Sequence, residues 1–248
     1  MIGSLAYWLG IRRRVALENL ARAFPALPDG ERRALARASY EQLGFSLREI
    51  LWRRRPEVRF ENWDIYLRAR EPGRGVVCAI AHFGNFELLA RAVHERGEKV
   101  TLIGRRLRGW FNRWLVRGRG IATLPDRDST AAALQALRRR EVLAIAVDQN
   151  MRPKRGVFVD FFGVPACTTP AAAVFSLRAG APLIFAYPVR QPDGSHVVTI
   201  RGPFTTALKG HAAVVDVTQQ VTRAVEAAVR ERPDHWFWVH RRWKTRPQ

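Results

Sequence analysis

Four apolar runs constrain the fold of this chain more than anything else in it: VVCAIA (76–81), KVTLIG (99–104), VLAIAVD (142–148) and PLIFAYPV (182–189). Each is nearly continuous rather than alternating, the pattern of a strand buried on both faces. Stretches with helical spacing separate them: NFELLARAVHERG, GWFNRWLVRGRG, DSTAAALQALRRR (128–140) and PAAAVFSLRAG (170–180), with a longer helix over 211–230. Asp128 or Ser129 caps one of these, and Thr168 and Thr169 precede another as caps. IATL (121–124) and HVVTIRG (196–202) add short strands, residues 31–52 form a helix, and QNMRPKRGVFVDFFGVPACTT reads as a long loop broken by glycine and proline. The order predicts an α/β fold, a single domain with a largely parallel central sheet flanked by helices. At 248 residues and 47% hydrophobic, the chain is large enough for one such core, with residues 1–60 as an N-terminal helical region.

Sheets of this kind gather their active groups beyond the carboxyl ends of the strands. His82 follows the first run, Gly104 and Arg105 the second, and Asp148 and Gln149 the third, so three polar clusters face one crevice. In AHFGNFE, Gly84 allows a tight strand-to-helix turn and Glu87 falls in the first turns of the helix. A carboxylate bonded to one imidazole nitrogen fixes the tautomer and leaves the other nitrogen as a proton acceptor. No serine or cysteine elbow of the G-x-S-x-G type stands beside this pair, so the nucleophile belongs to the substrate: a hydroxyl loses its proton to His82 as it attacks an activated carbonyl. Arg105 and Arg106 either meet a phosphate through bidentate bonds or form a solvated basic helix start. Asn112 is either an orienting group or surface. Asp148 either pairs with one of the arginines or satisfies backbone N–H groups. Cys78 and Cys167 form neither a disulfide framework nor a metal-ligand pattern, and no phosphate-binding or dinucleotide glycine box is present, so no metal or redox cofactor is expected. His94, His196 and His211 have no partner by spacing.

Charge adds a partner class. Forty-two lysines and arginines against 22 acidic residues leave +20, a field that draws anionic partners: nucleic acid, phosphorylated substrates or an anionic membrane. Eight tryptophans favour a lipid interface, though Arg-rich codon usage and a Trp-using core would produce the same counts. The opening MIGSLAYWLGIRRR is too short to cross a bilayer, and it lacks the charge order and cleavage site of a signal peptide. It is either an interfacial anchor, with Trp8 dipping inward and Arg12, Arg13 and Arg14 held at lipid phosphates, or a first helix docked on the protein's own core.

Taken together, RRRVALENLARAFP (12–25), AHFGNFE (81–87), DQN (148–150), FFGVPACTTP (161–170) and WFWVHRRWKTRP (236–247) resemble the lysophospholipid acyltransferase superfamily. Within it the chain is similar to the bacterial lipid A late acyltransferases, the lauroyl and myristoyl transferases, and to the mycobacterial phosphatidylinositol mannoside acyltransferases. The resemblance covers nearly the whole chain and implies a glycerolipid-acyltransferase-like fold. It implies His82 as general base with Glu87 as its orienting carboxylate in a histidine-x4-glutamate box. Arg105 and Arg106 fall at the second box, Asp148 and Gln149 at the third, and Pro182 and Pro188 on a pocket wall. Phe161 and Phe162 either line an acyl channel or pack in the core, and His240, Arg241 and Arg242 close the fold. The implied donor is an acyl thioester of acyl carrier protein or coenzyme A, with no permanently bound cofactor. The implied acceptor is a hydroxyl of an anionic glycolipid or phospholipid, met at the cytoplasmic face of the inner or plasma membrane by a peripheral or weakly anchored protein. Lipid A members usually begin with a transmembrane helix, and this chain starts near its end or lacks it. Two other readings remain: a thioesterase or lipid hydrolase in which the same pair activates water, and a basic nucleic-acid-binding protein. The latter lacks a recognition-helix or base-stacking pattern, so nucleic acid is not an expected partner.

Overall fold

Period-2 geometry sorts the apolar runs into two cores. In β2 (Val76–Ile80) all five residues are buried, because successive side chains point to opposite faces and both faces are covered. Val77, Ala79 and Ala81 pack on one side with Leu143, Ile145, Val147, Leu183 and Phe185, while Val76, Cys78 and Ile80 pack on the other with Val142, Ala144, Ile184 and Ala186. The structure, a computed structural model, describes residues 2–51, 55–104, 121–126 and 128–247.

In chain order the described elements are α1 (Ile2–Trp8), α2 (Arg13–Ala23), α3 (Asp29–Leu51), β1 (Val58–Glu61), α4 (Trp63–Arg70), β2, α5 (Phe86–Glu95), β3 (Val100–Gly104), β4 (Ala122–Pro125), α6 (Thr130–Arg138) and β5 (Val142–Ala146). They continue with β6 (Val157–Phe161), β7 (Val164–Thr168), α7 (Ala171–Ala179), β8 (Leu183–Arg190), β9 (His196–Arg201) and α8 (Gly210–Glu231). The main sheet has the order β1-β9-β8-β2-β5-β3-β4. All its pairings are parallel except β8 with β9. Val217, Val221 and Val225 of α8 and Phe175 of α7 cover the first face, and Tyr66 of α4 and Leu89 of α5 cover the second. The α/β architecture with a largely parallel sheet flanked by helices is therefore as expected.

The segment expected to be a long loop after β5 contains a hairpin instead. β6 and β7 pair antiparallel from Val157↔Thr168 to Phe161↔Val164. The turn is Phe162-Gly163, with φ of 58° and 72°, the two positive values that a tight two-residue hairpin turn requires. Gln219 of α8 holds the exposed strand by accepting from Asp160 N–H at 2.7 Å and donating to its carbonyl at 3.0 Å. Gly156 precedes the hairpin, Gly163 sits in its turn and Pro165 within β7, so these residues belong to the hairpin and do not mark a loop. Edge strand β1 and helix α4 were also not anticipated, since each is short.

At the N-terminus one side of the opening segment docks on the protein's own helices and the other is exposed. Helix α1 lies against α3, and a Cβ on Gly3 would come 1.7 Å from the Tyr40 carbonyl oxygen, so the two backbones touch. Tyr7 is buried edge-on to Tyr40 at 5.5 Å. The opposite side of the same segment leaves Leu5 and Leu9 60% and 67% exposed, with Trp8 and Ile11 beside them.

Candidate active site

The register of two strands brings the central pair together. Ile80 of β2 pairs with Ala146 of β5, so the residues two positions on, His82 and Asp148, emerge side by side at the carboxyl edge of the sheet. His82 Nδ1 meets Asp148 Oδ1 at 2.8 Å, and the His82 backbone N–H donates to Asp148 Oδ2 at 2.9 Å. The Trp236 indole N–H donates to the same oxygen at 2.9 Å. Asp148 is thus almost fully buried with both oxygens occupied, while the His82 ring keeps 22% of its side chain exposed. Nε2 faces the Gln149 side-chain nitrogen at 3.1 Å. Phe86 stands edge-on to the imidazole at 5.0 Å and Phe237 lies at 6.0 Å.

The loop carrying His82 is held on three sides. Phe237 N–H donates to the His82 carbonyl at 3.0 Å and Gly84 N–H to the His235 carbonyl at 2.8 Å, so the C-terminal segment pairs with residues 82–84. Gly84 has φ 52°, and a Cβ there would fall 2.3 Å from the Pro188 carbonyl oxygen, which leaves room for glycine alone. Asn85 caps α5, its Oδ1 accepting from Leu88 N–H at 3.2 Å, and its Nδ2 donates to Glu49 Oε2 at 2.8 Å. Glu49 is buried near the end of α3 and also binds Arg190 Nε at 3.2 Å and His196 Nε2 at 3.1 Å. Burial works against its charge, but the bonds from His196, Asn85 and Arg190 prevail and hold its carboxyl below the usual range.

The electrostatics separate two imidazoles. Burial pushes the His82 pKa down, but the charge and hydrogen bond of Asp148, with a smaller contribution from the Glu87 charge, push harder, and the net shift is upward. Burial alone would raise the Asp148 carboxyl, yet His82 and the Trp236 N–H bring it to about 2. His240, whose Nε2 accepts from the Asn150 N–H at 2.9 Å, is pushed down to about 4 by burial and by the charges of His82, Arg242 and Arg12, against the pull of Asp148. It is neutral at pH 7. Arg242 is buried against the Phe161 ring, donates to the Cys167 carbonyl at 3.1 Å and to Thr168 Oγ1, and burial lowers its pKa to about 10.

Of the residues singled out by sequence, the structure brings His82, Asp148 and Gln149 together. The carboxylate bonded to the imidazole, a role expected of Glu87, is Asp148 at Nδ1; Glu87, in the first turn of α5, adds its charge to the His82 environment. Asp148 in turn pairs with His82, through ring and backbone N–H, and with Trp236. Arg105, Arg106 and Asn112 lie outside the described residues. Phe161 and Phe162 are in the core: Phe161 packs against Trp236 at 5.5 Å and Trp243 at 5.6 Å, and Phe162 against Phe24 at 5.3 Å. Thr168 accepts from Arg242 instead of capping α7. Trp236 was missed because its apolar setting in WFWV points to packing, and nothing local says that its N–H reaches a carboxylate 88 residues away. Chemically, the cluster is an imidazole with a buried carboxylate fixing its tautomer and Nε2 bonded to the Gln149 side chain, an arrangement compatible with a general base.

Sequence similarity to known proteins identifies the family. The profile of the bacterial lipid A biosynthesis acyltransferase family matches residues 1–245. The lipid A biosynthesis lauroyltransferase of Escherichia coli (strain K12) is 28% identical over 262 residues, spanning 100% of this chain and 84% of that protein. A lipid A biosynthesis acyltransferase of Haemophilus influenzae is 29% identical over 252 residues, 95% of this chain and 78% of its own length. The lipid A biosynthesis myristoyltransferase of Escherichia coli (strain K12) is 24% identical over 248 residues, 94% and 76% of the two chains. Among solved structures, the 1-acyl-sn-glycerophosphate acyltransferase of Thermotoga maritima superposes with a TM-score of 0.44 at 13% identity, over 95% of this chain and 97% of its own. A match over nearly the full chain makes this protein, with its histidine–carboxylate pair at the sheet edge, an acyltransferase and a member of the bacterial lipid A biosynthesis acyltransferase family.

Proposed function

We propose that the protein moves a fatty acyl group from a thioester of acyl carrier protein or coenzyme A to a hydroxyl of a lipid A-type, anionic glycolipid, with His82 as general base. The observation that carries this is the state of His82: Nδ1 is committed to Asp148, and the atom bonded to Nε2 is the Gln149 amide nitrogen, not a nucleophile of the chain. The acceptor hydroxyl gives its proton to Nε2 as its oxygen attacks the thioester carbonyl carbon. The tetrahedral intermediate then expels the thiolate, breaking the C–S bond, and the imidazolium returns the proton to sulfur. Asp148 holds the tautomer, and the charges of Asp148 and Glu87 stabilise the imidazolium. Arg105 and Arg106 remain the proposed contacts for a substrate phosphate or the oxyanion, with Asn112 beside them.

The relatives act, by name, as lipid A lauroyl-, myristoyl- and palmitoleoyltransferases, which supports the acceptor class. The exposed apolar side of the opening segment, next to Arg12, Arg13 and Arg14, supports work on the anionic cytoplasmic face of a membrane. Among the described residues no helix is long and apolar enough to cross a bilayer.

The test is acyl transfer from lauroyl thioesters to an under-acylated lipid A precursor. His82→Ala should lower transfer by about 10²–10⁴-fold, the range of a lost general base, and Glu87→Ala should lower it while the fold persists. Full activity in a folded His82→Ala protein would refute the mechanism. Thioester loss without acylated lipid, whatever the acceptor, would make the protein a hydrolase.

A further inference from the structure

Gln149 occupies the place at His82 that any nucleophile must take. With Nδ1–H donated to Asp148 at 2.8 Å, the neutral ring carries its lone pair on Nε2, and the Gln149 amide donates to it at 3.1 Å. An imidazole nitrogen has one such lone pair, in the ring plane, so it accepts one strong hydrogen bond at a time. A hydroxyl or a water that is to lose its proton there must come within about 2.6–3.2 Å of Nε2, the space the amide fills.

The backbone on either side of Gln149 is tied down. Asp148 is fixed by three donors, and Asn150 N–H is bound by His240 Nε2. The Asn150 side chain donates to the Met151 carbonyl at 3.1 Å and to Thr245 Oγ1 at 3.0 Å, and it accepts from Thr245 N–H at 3.0 Å. Only the Gln149 side chain, half-buried and with three rotatable bonds, can give way.

We propose that Gln149 is a guard on the general base: it blocks hydrolysis of the acyl thioester by water and yields to the acceptor hydroxyl. The distinction rests on binding. An acceptor lipid is held by its headgroup and chains, and those contacts can displace an amide from Nε2; a water brings no contacts besides the one it would replace. Unguarded, water would pass its proton to Nε2 while its oxygen bonds to the acyl carbon. The C–S bond would then break, and the products would be a free fatty acid and the thiol. This inference rests on the acyltransferase reading and adds to it a determinant of the choice between transfer and hydrolysis.

The experiment compares full-length wild type, Gln149→Leu and Gln149→Asn, with His82→Ala as the background. Lauroyl-coenzyme A and lauroyl-acyl carrier protein are supplied with and without an under-acylated lipid A precursor in detergent micelles, and free laurate and acylated lipid are quantified by mass spectrometry. Removing the guard should raise the ratio of laurate to acylated lipid about 2- to 10-fold, the factor one net hydrogen bond supplies. Laurate release without acceptor should rise by a similar factor. Gln149→Asn, whose amide is one methylene too short to reach Nε2, should behave alike and decides the matter if Gln149→Leu fails to fold. A purely structural role for Gln149 would lower both products together, and an unchanged or reduced ratio overturns the proposal. Wild type that forms no acylated lipid refutes the acyltransferase reading and the guard with it. Wild type that transfers, with variants of unchanged ratio, refutes the guard alone.

Discussion

His82, Asp148 and His240 lie together yet titrate in opposite senses, and the signs can be tested. A base works only unprotonated, and the upward shift of His82 sets the acid limb of the rate profile above the ordinary value of 6.5. Asp148→Asn removes the main cause of that shift, so the limb of kcat/KM should move to lower pH while the plateau falls, because the tautomer loses its anchor. An unmoved limb would show that Asp148 does not set the His82 pKa. Stability follows the same shifts. The stabilisation tied to His82 is fully present below 6.5 and is lost as pH rises through its higher folded pKa. That of Asp148 is present above its ordinary 3.8 and is lost as pH falls through about 2. His240 is the reverse of His82: between about 4 and 6.5 the unfolded chain binds a proton that the folded chain refuses, so stability rises with pH across that window. His240→Gln keeps an acceptor for Asn150 N–H and should flatten Tm between pH 4 and 6.5, as measured by calorimetry.

At the scale of elements, α1 has one face packed on α3 and one face exposed. Gly3 lies where α1 and α3 touch, and Gly3→Ala should cost about 1–3 kcal/mol as the helices are forced apart. Leu5 and Leu9 face outward, so Leu5→Asp with Leu9→Asp should leave Tm nearly unchanged. The same pair should abolish the part of vesicle binding that survives high salt, because apolar insertion is unscreened whereas each nearby arginine adds about 1 kcal/mol only on an anionic surface. Flotation with phosphatidylglycerol–phosphatidylethanolamine vesicles at low and high salt measures this. Equal flotation of wild type and the double variant at high salt would defeat the anchoring role. Short elements explain what sequence reading missed here. The β6–β7 hairpin has five residues per strand around a turn whose first position is phenylalanine at φ 58°, a residue that carries no turn signal.

Across the whole molecule, the C-terminal segment closes the fold by joining distant parts of the chain at the site. Asn19 of α2 donates to the carbonyls of Trp238 at 2.7 Å and His240 at 2.6 Å, and Arg12 donates to that of Val239 at 3.1 Å. Trp236 of the same segment reaches Asp148, and residues 235 and 237 pair with the His82 loop. Asn19→Leu fills nearly the same space but leaves the Trp238 carbonyl without its donor, at about 1–3 kcal/mol, while the His240 carbonyl keeps the Arg242 N–H at 2.8 Å. Urea denaturation should show that loss. Activity measured well below the unfolding midpoint should also fall, because the segment that orients Asp148 loosens. A variant as stable as wild type would mean that water satisfies the Trp238 carbonyl.

The buried strands β2, β3, β5 and β8 and their order along the chain were legible in sequence because burial on both faces demands unbroken apolar runs, and helices between them demand parallel pairing. That His82, Asp148 and Gln149 stand just past strand ends was legible for the same reason. Which strands are neighbours was not: β2 pairs with β5 and β8, not with β3, and only that order sets His82 beside Asp148. The histidine-x4-glutamate box suggested Glu87 as the carboxylate on the imidazole, whereas the Nδ1 bond comes from 66 residues on. Trp236 and Glu49 likewise act on the His82 loop from remote segments. Local pattern determines what each segment becomes, because backbone hydrogen bonding and burial are decided over a few residues. Strand order and long-range polar contacts depend on how the whole core packs, so the partners of the imidazole were decided by the tertiary structure alone.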